Sequence, residues 1–323
     1  MKILPLAAES LGVRSMATYV EAGRTGILID PGATLAESRF NLPPAEEELE
    51  ALGRARDRIV AFAARAETVF ISHYHEDHFF PEPAMYATRR VLAKDPRRMI
   101  GGLQARRAGE LWRSLDRVAH LESADGRVGE CGNLAFKVSP PLAHGPEGTA
   151  LGYCLVLTLT DRAEDFRFVF ASDVQGPLSS VATAYLIRER PHLLYLSGPP
   201  SYLEKQLGRD VIDRAIDNLE RVIDTTGCRT IMDHYALRDG NTRERFARLW
   251  EGNRVVTAAG YLGLRDSLLE AKRCVLWASR RKPPAKIEPG EAVARRKPLA
   301  RIEPGSMSRP RKWTRRAEGG RPW

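Results

Sequence analysis

The sequence has few cysteines and no long apolar segment, and both absences limit what the protein can be. Its four cysteines, Cys131, Cys154, Cys228 and Cys274, are far apart and form no C-x-x-C pair. This pattern predicts reduced thiols and argues against a disulfide framework or a thiolate metal site. No apolar run approaches the roughly 20 residues of a membrane helix, and the N-terminus MKILPLAAES becomes polar too soon for a signal peptide. We therefore expect a cytoplasmic protein without a membrane partner.

Several catalytic fingerprints are also missing from the chain. The sequence has no G-x-S-x-G stretch, and none of its cysteines has a paired-histidine pattern, which argues against a serine or cysteine nucleophile. It also has no P-loop and no G-x-G-x-x-G fingerprint, which argues against nucleotide or dinucleotide binding of the P-loop or Rossmann type.

The net charge of +9 is unevenly distributed over the 323 residues. Residues 280–323 carry 14 Lys/Arg and 4 Asp/Glu, which leaves 36 basic and 37 acidic residues in 1–279. This tail contains a tandem repeat, RRKPPAKIEPG at 280–290 and RRKPLARIEPG at 295–305. A segment rich in Pro, Gly and Arg cannot bury enough apolar surface to offset its ordering entropy. We predict a folded domain over 1–279 and a disordered basic tail over 280–323. The tail is either an arm for nucleic acid or another acidic partner, or a solvated extension without a specific role.

Strand-like and helix-like segments alternate along the predicted domain. Short apolar runs that are rich in β-branched or aromatic residues predict strands at 3–6, 16–22, 26–30, 68–72, 134–138, 152–160, 166–172, 191–197 and 228–234. Apolar residues at helical spacing predict helices at 46–67, 179–190, 209–226, about 243–251 and 262–276. Strands in both halves with helices between them indicate a layered α/β architecture.

The stretch VFISHYHEDHFF at 69–80 holds three of the seven histidines of the chain. In an extended segment that leaves a strand, residues i and i+2 project to the same side, so His73 and His75 can converge on one ion. A turn after them can place Asp77 and His78 at a second position. Imidazole and carboxylate groups suit Zn²⁺ and comparable divalent ions without thiolate ligands. The other interpretation of the pattern is a histidine-rich surface loop.

Two metal positions need more ligands than this stretch supplies, and three residues further along the chain lie where such ligands are expected. His144 lies in a loop between strands, Asp173 follows the run FRFVFAS, and His234 follows CRTIMD. Each residue alone has an ordinary alternative: a hydrogen-bonded loop histidine for His144 or His234, and a helix N-cap for Asp173. Their common position after apolar strands favours a metal site.

The order H-x-H-x-D-H, His, Asp, His, together with ILIDPG at 27–32, resembles the dinuclear metallohydrolases of the metallo-β-lactamase fold superfamily. The resemblance covers roughly residues 1–265. The stretches ESLGVRSMATYVE, ILIDPG and GPPSYL also look like one prokaryotic subfamily of these proteins. The resemblance implies an α/β fold that is built as a four-layer αββα sandwich.

The resemblance also implies a ligand set and two divalent metal ions, with Zn²⁺ as the first expectation and Mn or Fe as alternatives. Matched residue by residue, the first metal would be held by His73, His75 and His144, and the second by Asp77, His78 and His234. Asp173 would bridge both ions, and Asp30 would lie outside the ligand set, close to the metal loop. Asp77 would also orient the attacking water or take its proton.

Two departures from the family narrow the predicted activity. The chain has Asp173 where lactamases of this fold use a cysteine near the bridging position, so it resembles the phosphodiesterase and thioesterase branches instead. Only 60 residues separate Asp173 from His234, which leaves no room for the β-CASP domain of RNA-processing relatives. We therefore expect a hydrolase with a bridging hydroxide nucleophile that acts on a phosphodiester. Its substrate would be a nucleotide-type compound or another small molecule. The alternatives are a thioester or lactone hydrolase and a non-catalytic, metal-stabilised nucleic-acid-binding protein.

The sequence assigns no substrate contact. Five side chains close to the expected ligands or to the GPPSYL stretch either line a pocket or pack in the core: Tyr74, Glu76, Tyr202, Tyr235 and Arg238. The two remaining histidines, His120 and His192, have no spacing that suggests ligation, and we expect structural or exposed roles for both.

Overall fold

Two β-sheets make up the centre of the computed structural model, which describes residues 1–279. The first sheet has six strands in chain order: β1 (Lys2–Pro5), β2 (Thr18–Ala22), β3 (Thr25–Ile29), β4 (Thr68–Ile71), β5 (Arg90–Ala93) and β6 (His120–Ser123). Strands β1 to β3 pair antiparallel, and β3 to β6 pair parallel. The central strands β3 and β4 are buried at every position, which is typical of continuous apolar runs in strands that are covered on both faces.

The second sheet has seven strands and contains the later half of the domain. Its strands are β7 (Val128–Cys131), β8 (Leu134–Val138), β11 (Val156–Asp161), β12 (Phe166–Ala171), β13 (Leu193–Ser197), β14 (Arg229–Asp233) and β15 (Val255–Val256). Between β8 and β11 in sequence, β9 (Leu142–Ala143) and β10 (Tyr153–Cys154) form a separate two-stranded sheet. The order in the sheet is β15-β14-β13-β12-β11-β8-β7, with β12 to β15 parallel.

Nine α-helices occur among residues 1–279. They are α1 (Glu46–Ala63), α2 (Gly102–Leu115), α3 (Ser180–Glu189), α4 (Glu204–Leu207), α5 (Arg209–Thr226), α6 (Thr242–Arg245), α7 (Ala247–Trp250), α8 (Ala258–Tyr261) and α9 (Arg273–Ala278). Four of them, α1, α2, α3 and α5, are long enough to cover part of a sheet. Five 3₁₀ turns lie at Glu9–Leu11, Pro83–Tyr86, Ser201–Leu203, His234–Leu237 and Glu251–Asn253.

Three hydrophobic clusters define the layers of the fold. The first lies between the two sheets, where Phe70 of β4 and Phe170 of β12 belong to one cluster. The second lies between the first sheet and helices α1 and α2, and the third between the second sheet and helices α3 and α5. Within β4, Phe70 points to the inter-sheet core, whereas its neighbours Val69 and Ile71 belong to the helix-facing cluster. Three interfaces between four layers give the predicted αββα sandwich, and the predicted fold class is confirmed.

The predicted basic tail, 280–323, and the predicted domain boundary at 279 lie outside the described residues, so both stay predictions. Within residues 1–279, no helix combines the length and the apolar composition that crossing a membrane requires.

Most of the predicted elements lie where the sequence placed them, but the predicted helix at 262–276 is wrong. Only its end is helical, at Arg273–Ala278. The preceding segment lies against the N-terminal region: Ser267 N donates to Ser10 O at 2.8 Å, and Arg14 donates to both oxygens of Glu270 at 2.6 Å. These tertiary contacts outweigh the helical pattern of the sequence. The predicted helix at about 243–251 is also interrupted, because it divides into α6, α7 and a 3₁₀ turn.

A buried ion pair fastens the end of the described chain to helix α1. Arg273 donates to both carboxylate oxygens of Glu48 at 2.8 Å, and both side chains are fully buried. Glu48 also accepts a hydrogen bond from Ala45 N at the start of the helix. Because the two charges are removed from water together, each requires the other.

We expect Glu48→Gln to lower the free energy of unfolding by about 3–5 kcal/mol, because it leaves the Arg273 guanidinium buried without its counter-charge. Urea unfolding followed by circular dichroism measures the change. Glu50→Gln on the same helix is the matched control, since Glu50 pairs with Arg54 on an exposed surface and should change stability by less than about 1 kcal/mol. Equal effects of the two substitutions would contradict the role given to the buried pair.

Candidate metal centre

The carboxyl ends of parallel strands bring the predicted site residues to one edge of the two sheets. Asp30 directly follows β3, and His73 lies two residues after the neighbouring parallel strand β4. In the second sheet, Asp173 follows β12 and His234 follows β14, which run parallel through β13. His144 directly follows β9. Polar residues at these strand ends can meet without interrupting the buried strands.

Gly32 allows two of these loops to pass in contact. A Cβ atom at this position would lie 2.2 Å from Phe79 N and 2.6 Å from the backbone N and C of His78. No side chain fits in that space, so the glycine of ILIDPG lets the loop after β3 lie directly against the histidine loop. The sequence singled out ILIDPG for its aspartate, and the structure adds this reason for its glycine.

The first group of potential ligands has the spacing of a tetrahedral metal site. His75 Nδ1 lies 3.1 Å from His73 Nε2 and 3.1 Å from His144 Nε2. Asp173 Oδ2 lies 2.8 Å from His144 Nε2, 3.2 Å from His73 Nε2 and 3.8 Å from His75 Nδ1. Ligand atoms about 2.0–2.1 Å from one tetrahedral ion are about 3.3–3.4 Å apart. The four atoms therefore fit around one ion.

A second group lies on the other side of the same carboxylate. Asp173 Oδ1 lies 3.4 Å from His78 Nε2 and 3.5 Å from His234 Nε2. The carboxylate oxygens of Asp77 lie 3.8 Å and 3.5 Å from the same two nitrogens. The two oxygens of Asp173 thus point to two different groups of histidines, which is the arrangement of a bridging ligand.

Two buried atoms of the second group test whether a cation fits there. Asp173 Oδ1 and His78 Nε2 are both inaccessible to solvent, and neither has a hydrogen-bond partner among residues 1–279. Buried polar atoms without a partner are costly and rare. A divalent cation that accepts electron pairs from both atoms would satisfy them, so the residues fit a metal ion.

The charges around Asp173 favour positive charge in the same place. Burial alone would raise the pKa of Asp173, but His78 and His73 outweigh burial and hold the pKa well below its usual range. Burial alone would lower the pKa of His78, but Asp173 and Asp77 outweigh burial and raise the pKa well above its usual value. The carboxylates therefore stabilise a cation at this position, and a divalent metal ion is the form that the histidine nitrogens can bind.

Each of the four fully buried histidines is oriented through its other ring nitrogen. The partners are Ser72 Oγ for His73 (2.9 Å), Asp30 Oδ2 for His78 (2.9 Å), the Gln175 amide for His144 (3.4 Å) and Arg238 Nη2 for His234 (3.4 Å). His234 Nδ1 also lies 3.5 Å from the Glu9 carboxylate, at ion-pair distance. Such contacts fix the tautomer and the ring orientation of histidines in metal sites. His75, which is partly exposed, presents Nδ1 instead of Nε2 to the first group.

Asp30 lies beside the two groups and connects the loops that form them. Its carboxylate accepts hydrogen bonds from Ser72 N at 2.7 Å, Ser72 Oγ at 2.6 Å and Ser172 Oγ at 3.1 Å. Asp30, His73 and His78 are close enough to form a third potential metal group. Because these hydrogen bonds already occupy the Asp30 carboxylate, we assign it an orienting position outside the ligand set.

A charged network that the sequence did not reveal adjoins the second group. Arg238 is 5% exposed, and it donates from Nε to Glu9 at 2.5 Å and from Nη2 to Asp77 at 3.3 Å. Burial alone would raise the pKa of Glu9, but Arg238 and His234 outweigh burial and hold the pKa below its usual value. The only sequence signal for Glu9 is an acidic residue in a short turn after β1, which is too common to identify a role.

The other side chains near the site divide between the metal centre and the packed interior. Tyr235 donates from its hydroxyl to Asp173 Oδ2 at 3.1 Å, and its ring stacks on Tyr202. Tyr74 is fully buried and donates to Lys94 O, so it belongs to the core. Glu76 forms an ion pair with Arg107 at 2.8 Å.

The structure keeps the remaining two histidines away from the two groups. His120 is exposed on β6. His192 accepts a hydrogen bond from Arg167 N at 3.0 Å and stacks on Phe166. These positions agree with the structural or exposed roles that we expected.

Proteins with similar sequences come from archaea. A UPF0282 protein of Methanopyrus kandleri is 42% identical over 289 residues, which are 84% of this chain and 98% of that protein. A UPF0282 protein of Thermococcus gammatolerans is 40% identical over 287 residues, which are 84% of this chain and 94% of that protein. A UPF0282 protein of Pyrococcus abyssi is 38% identical over 307 residues, which are 91% of this chain and 95% of that protein. No family model matches the chain.

Three solved structures resemble this chain at low sequence identity and with TM-scores below 0.5. A metal-dependent hydrolase of the β-lactamase superfamily is 14% identical with a TM-score of 0.47, covering 79% of this chain and 94% of that chain. Yeast PDE1 is 12% identical with a TM-score of 0.45, covering 79% and 97%. The short form of human tRNase Z is 15% identical with a TM-score of 0.42, covering 72% and 92%. At these scores the likenesses assign no activity to this chain.

If the two groups bind metal, the protein should take up two Zn²⁺ ions, and His144→Ala should reduce the number to one because it removes a ligand of the first group only. Metal content after equilibrium dialysis measures the stoichiometry. His120→Ala is the matched control, since this exposed histidine is remote from both groups. A single ion in the unsubstituted protein would contradict the two-metal arrangement.

We expect Glu9→Gln to weaken Zn²⁺ binding by about 10- to 100-fold, because it removes the negative charge that lies 3.5 Å from His234 Nδ1 and pairs with Arg238. Competition with a chromophoric chelator measures the affinity. Glu37→Gln, at an exposed residue, is the control and should bind the metal as the unsubstituted protein does. Unchanged affinity in Glu9→Gln would show that His234 does not depend on this carboxylate.

Proposed function

The chain belongs to the UPF0282 family, and we propose that it is a metal-dependent hydrolase with a dinuclear centre that acts on a phosphodiester. The proposal assigns the first ion to His73, His75, His144 and Asp173, and the second to Asp77, His78, His234 and Asp173. Zn²⁺ is the first candidate, with Mn or Fe as alternatives, because imidazole and carboxylate ligands suit all three. The observation that carries the proposal is the buried Asp173 carboxylate, whose two oxygens face two different histidine groups.

A pair of divalent ions would supply Lewis-acid polarisation of the phosphoryl oxygen and an ionised water at neutral pH. In the hydrolysis, the water oxygen bonds to phosphorus, one ester P–O bond breaks, and the proton that water loses ends on the leaving alcohol. Asp77 lies at the less buried side of the second group, where its carboxylate can accept a hydrogen bond from the attacking water. Tyr235 and Arg238 hold Asp173 and Asp77 in place through their hydrogen bonds.

The two-metal arrangement favours a phosphodiester over a neutral ester. A pair of divalent ions would suit in-line displacement at phosphorus, because it can stabilise both the attacking and the leaving oxygen. Arg238 is 5% exposed and already bonds Glu9 and Asp77, so it is not free for a substrate anion. Arg39, which donates to Arg238 O at 2.9 Å and is 22% exposed, is the guanidinium that a phosphodiester oxygen can approach. A thioester or a lactone carries no charge at its reacting carbonyl and makes no use of this guanidinium. These are the reasons for preferring a phosphodiester.

The metal-loaded protein should hydrolyse bis(p-nitrophenyl) phosphate, and His75→Ala should lower kcat/KM by at least about 100-fold because the first ion loses a ligand. Release of p-nitrophenolate measures the rate. His120→Ala is again the matched control and should retain full activity.

A chromogenic thioester in parallel reactions separates the candidate substrates. Turnover of the thioester alone, lost in His75→Ala, would contradict the phosphodiester assignment and leave a metallohydrolase. No turnover of either substrate by protein that contains two metal ions would contradict the hydrolase proposal and favour a metal-stabilised binding protein.

A further inference from the structure

A strained hairpin next to the metal centre exposes an aromatic ring. Arg39 and Leu42 exchange two backbone hydrogen bonds of 3.0 Å, and the residues between them, Phe40 and Asn41, have φ angles of 57° and 58°. Two consecutive left-handed residues form the tight turn in which Asn and Gly are usual. Phenylalanine is unfavourable there because its Cβ crowds the backbone. Nevertheless Phe40 is 49% exposed, so neither the turn nor core packing explains its presence.

Arg39 connects this hairpin to the loop that carries the second metal group. Its Nη2 donates to Arg238 O at 2.9 Å, and its guanidinium lies 4.7 Å from the ring centre of Phe40 and 5.2 Å from that of Tyr202. Its Nε is shielded from solvent and lies 3.8 Å from Glu270, which Arg14 also binds. The Arg39 side chain as a whole is 22% exposed, so a ligand oxygen can approach only the outer part of its guanidinium.

Tyr202 continues the contacts to the metal centre itself. It lies in the GPPSYL stretch after β13 and is partly exposed. Its ring is nearly parallel to that of Tyr235, with 6.4 Å between centres and 13° between planes. Tyr235 in turn donates to Asp173 at 3.1 Å. Contacts thus run without a break from the exposed Phe40 ring to the carboxylate between the two histidine groups.

We call Arg39, Phe40 and Tyr202 the aromatic rim. The neighbours of Phe40 that are exposed in the same segment, Glu37, Ser38 and Asn41, are polar. The rim is therefore no broad apolar patch of the kind that binds another protein. A single exposed ring beside a partly exposed guanidinium suits a ligand that is planar at one end and anionic at the other.

We infer that the aromatic rim recognises the nucleoside part of a nucleotide phosphodiester, with the base stacked on Phe40 or Tyr202 and an oxygen of the nucleotide bound by Arg39. This inference rests on the proposed function, since the metal centre would bind the phosphodiester itself. Aromatic side chains stack on any base, and arginine pairs with phosphate oxygens. The backbone strain at Phe40 is then the consequence of placing a ring where the substrate needs it.

Thymidine 5′-(p-nitrophenyl phosphate) and methyl p-nitrophenyl phosphate test the rim, because they share the reacting group and differ in the nucleoside. In the metal-loaded full chain, Phe40→Asn should lower kcat/KM for the thymidine ester by about 5- to 150-fold, the range for loss of one stacked base. The loss should appear mainly in KM, and the methyl ester should be unaffected. Phe40→Trp should retain the preference for the nucleoside.

Thermal unfolding separates this role from a structural one. Asparagine tolerates a left-handed backbone, so Phe40→Asn should raise Tm while it weakens recognition. Leu264→Asn is the control for removing an exposed apolar side chain, since Leu264 is 56% exposed and has no place in the rim. It should leave the kinetics of both esters unchanged. A lower Tm in Phe40→Asn, with equal losses on both esters, would overturn the inference.

Direct binding distinguishes failure of the rim from failure of the proposed function. Calorimetry should show that thymidine 5′-monophosphate binds more tightly than methyl phosphate, and that Phe40→Asn removes the difference. If the esters are hydrolysed but Phe40→Asn changes neither catalysis nor binding, the rim inference is wrong and the hydrolase stands. If neither ester is hydrolysed but binding depends on Phe40, the rim stands and the phosphodiesterase proposal is wrong.

The nucleoside could belong to a free nucleotide or to the end of a single-stranded nucleic acid, which share the same chemistry. Competition against the thymidine ester by cyclic mononucleotides and by a short oligoribonucleotide distinguishes the two sources. Stronger competition by the oligonucleotide, lost in Phe40→Asn, would identify a chain end, and stronger competition by the mononucleotide would identify a free nucleotide. No competition by either would overturn the inference.

Discussion

The buried Asp173 carboxylate is the constraint on which the rest of the structure depends. It is fully shielded from water, and its two oxygens face different histidine groups. One of these oxygens, Oδ1, has no hydrogen-bond partner within residues 1–279. A carboxylate in such a place is stable only if positive charge is supplied on both sides. The same carboxylates raise the pKa of His78 against the effect of burial, so they favour positive charge beside Asp173 Oδ1. Two cations would supply positive charge on both sides of the carboxylate, and the geometry and the electrostatics therefore support the same proposal.

The sheet topology satisfies this constraint by bringing loops from both sheets to one edge. Asp30 holds the loop after β4 through Ser72 and the loop after β12 through Ser172, so one carboxylate aligns a loop from each sheet. Gly32 removes the side chain that would otherwise keep its loop away from His78. The strands β3, β4 and β12, which lead into these loops, are mostly apolar and buried between the layers. The fold thus separates the two tasks, with stability in the strands and chemistry in the loops that follow them.

The residues of the candidate metal centre could be singled out because most of them have strong local signals. His73, His75 and His78 are close in sequence, Asp173 and His234 follow apolar runs that are typical of strands, and His144 lies in a loop between two such runs. Residues whose roles depend on contacts distant in sequence could not be predicted in this way. Glu9 and Arg238 are 229 positions apart, and only the folded chain shows that they pair beside His234. The predicted helix at 262–276 failed for the same reason, because contacts with Ser10 and Arg14 hold that segment in another conformation.

These distant contacts also connect the stability of the fold to the precision of the site. Glu9 can keep its carboxylate beside His234 only if the turn that carries it is fixed. Asp233 fixes it from one side, because its carboxylate accepts hydrogen bonds from Ser10 N at 3.1 Å, His234 N at 2.8 Å and Ala258 N at 2.9 Å. The segment that precedes α9 fixes it from the other side through Ser267. The segment that departs most from its predicted structure is therefore also the one that holds the Glu9 turn beside His234, so the contacts that prevent the predicted helix contribute to the position of a site residue.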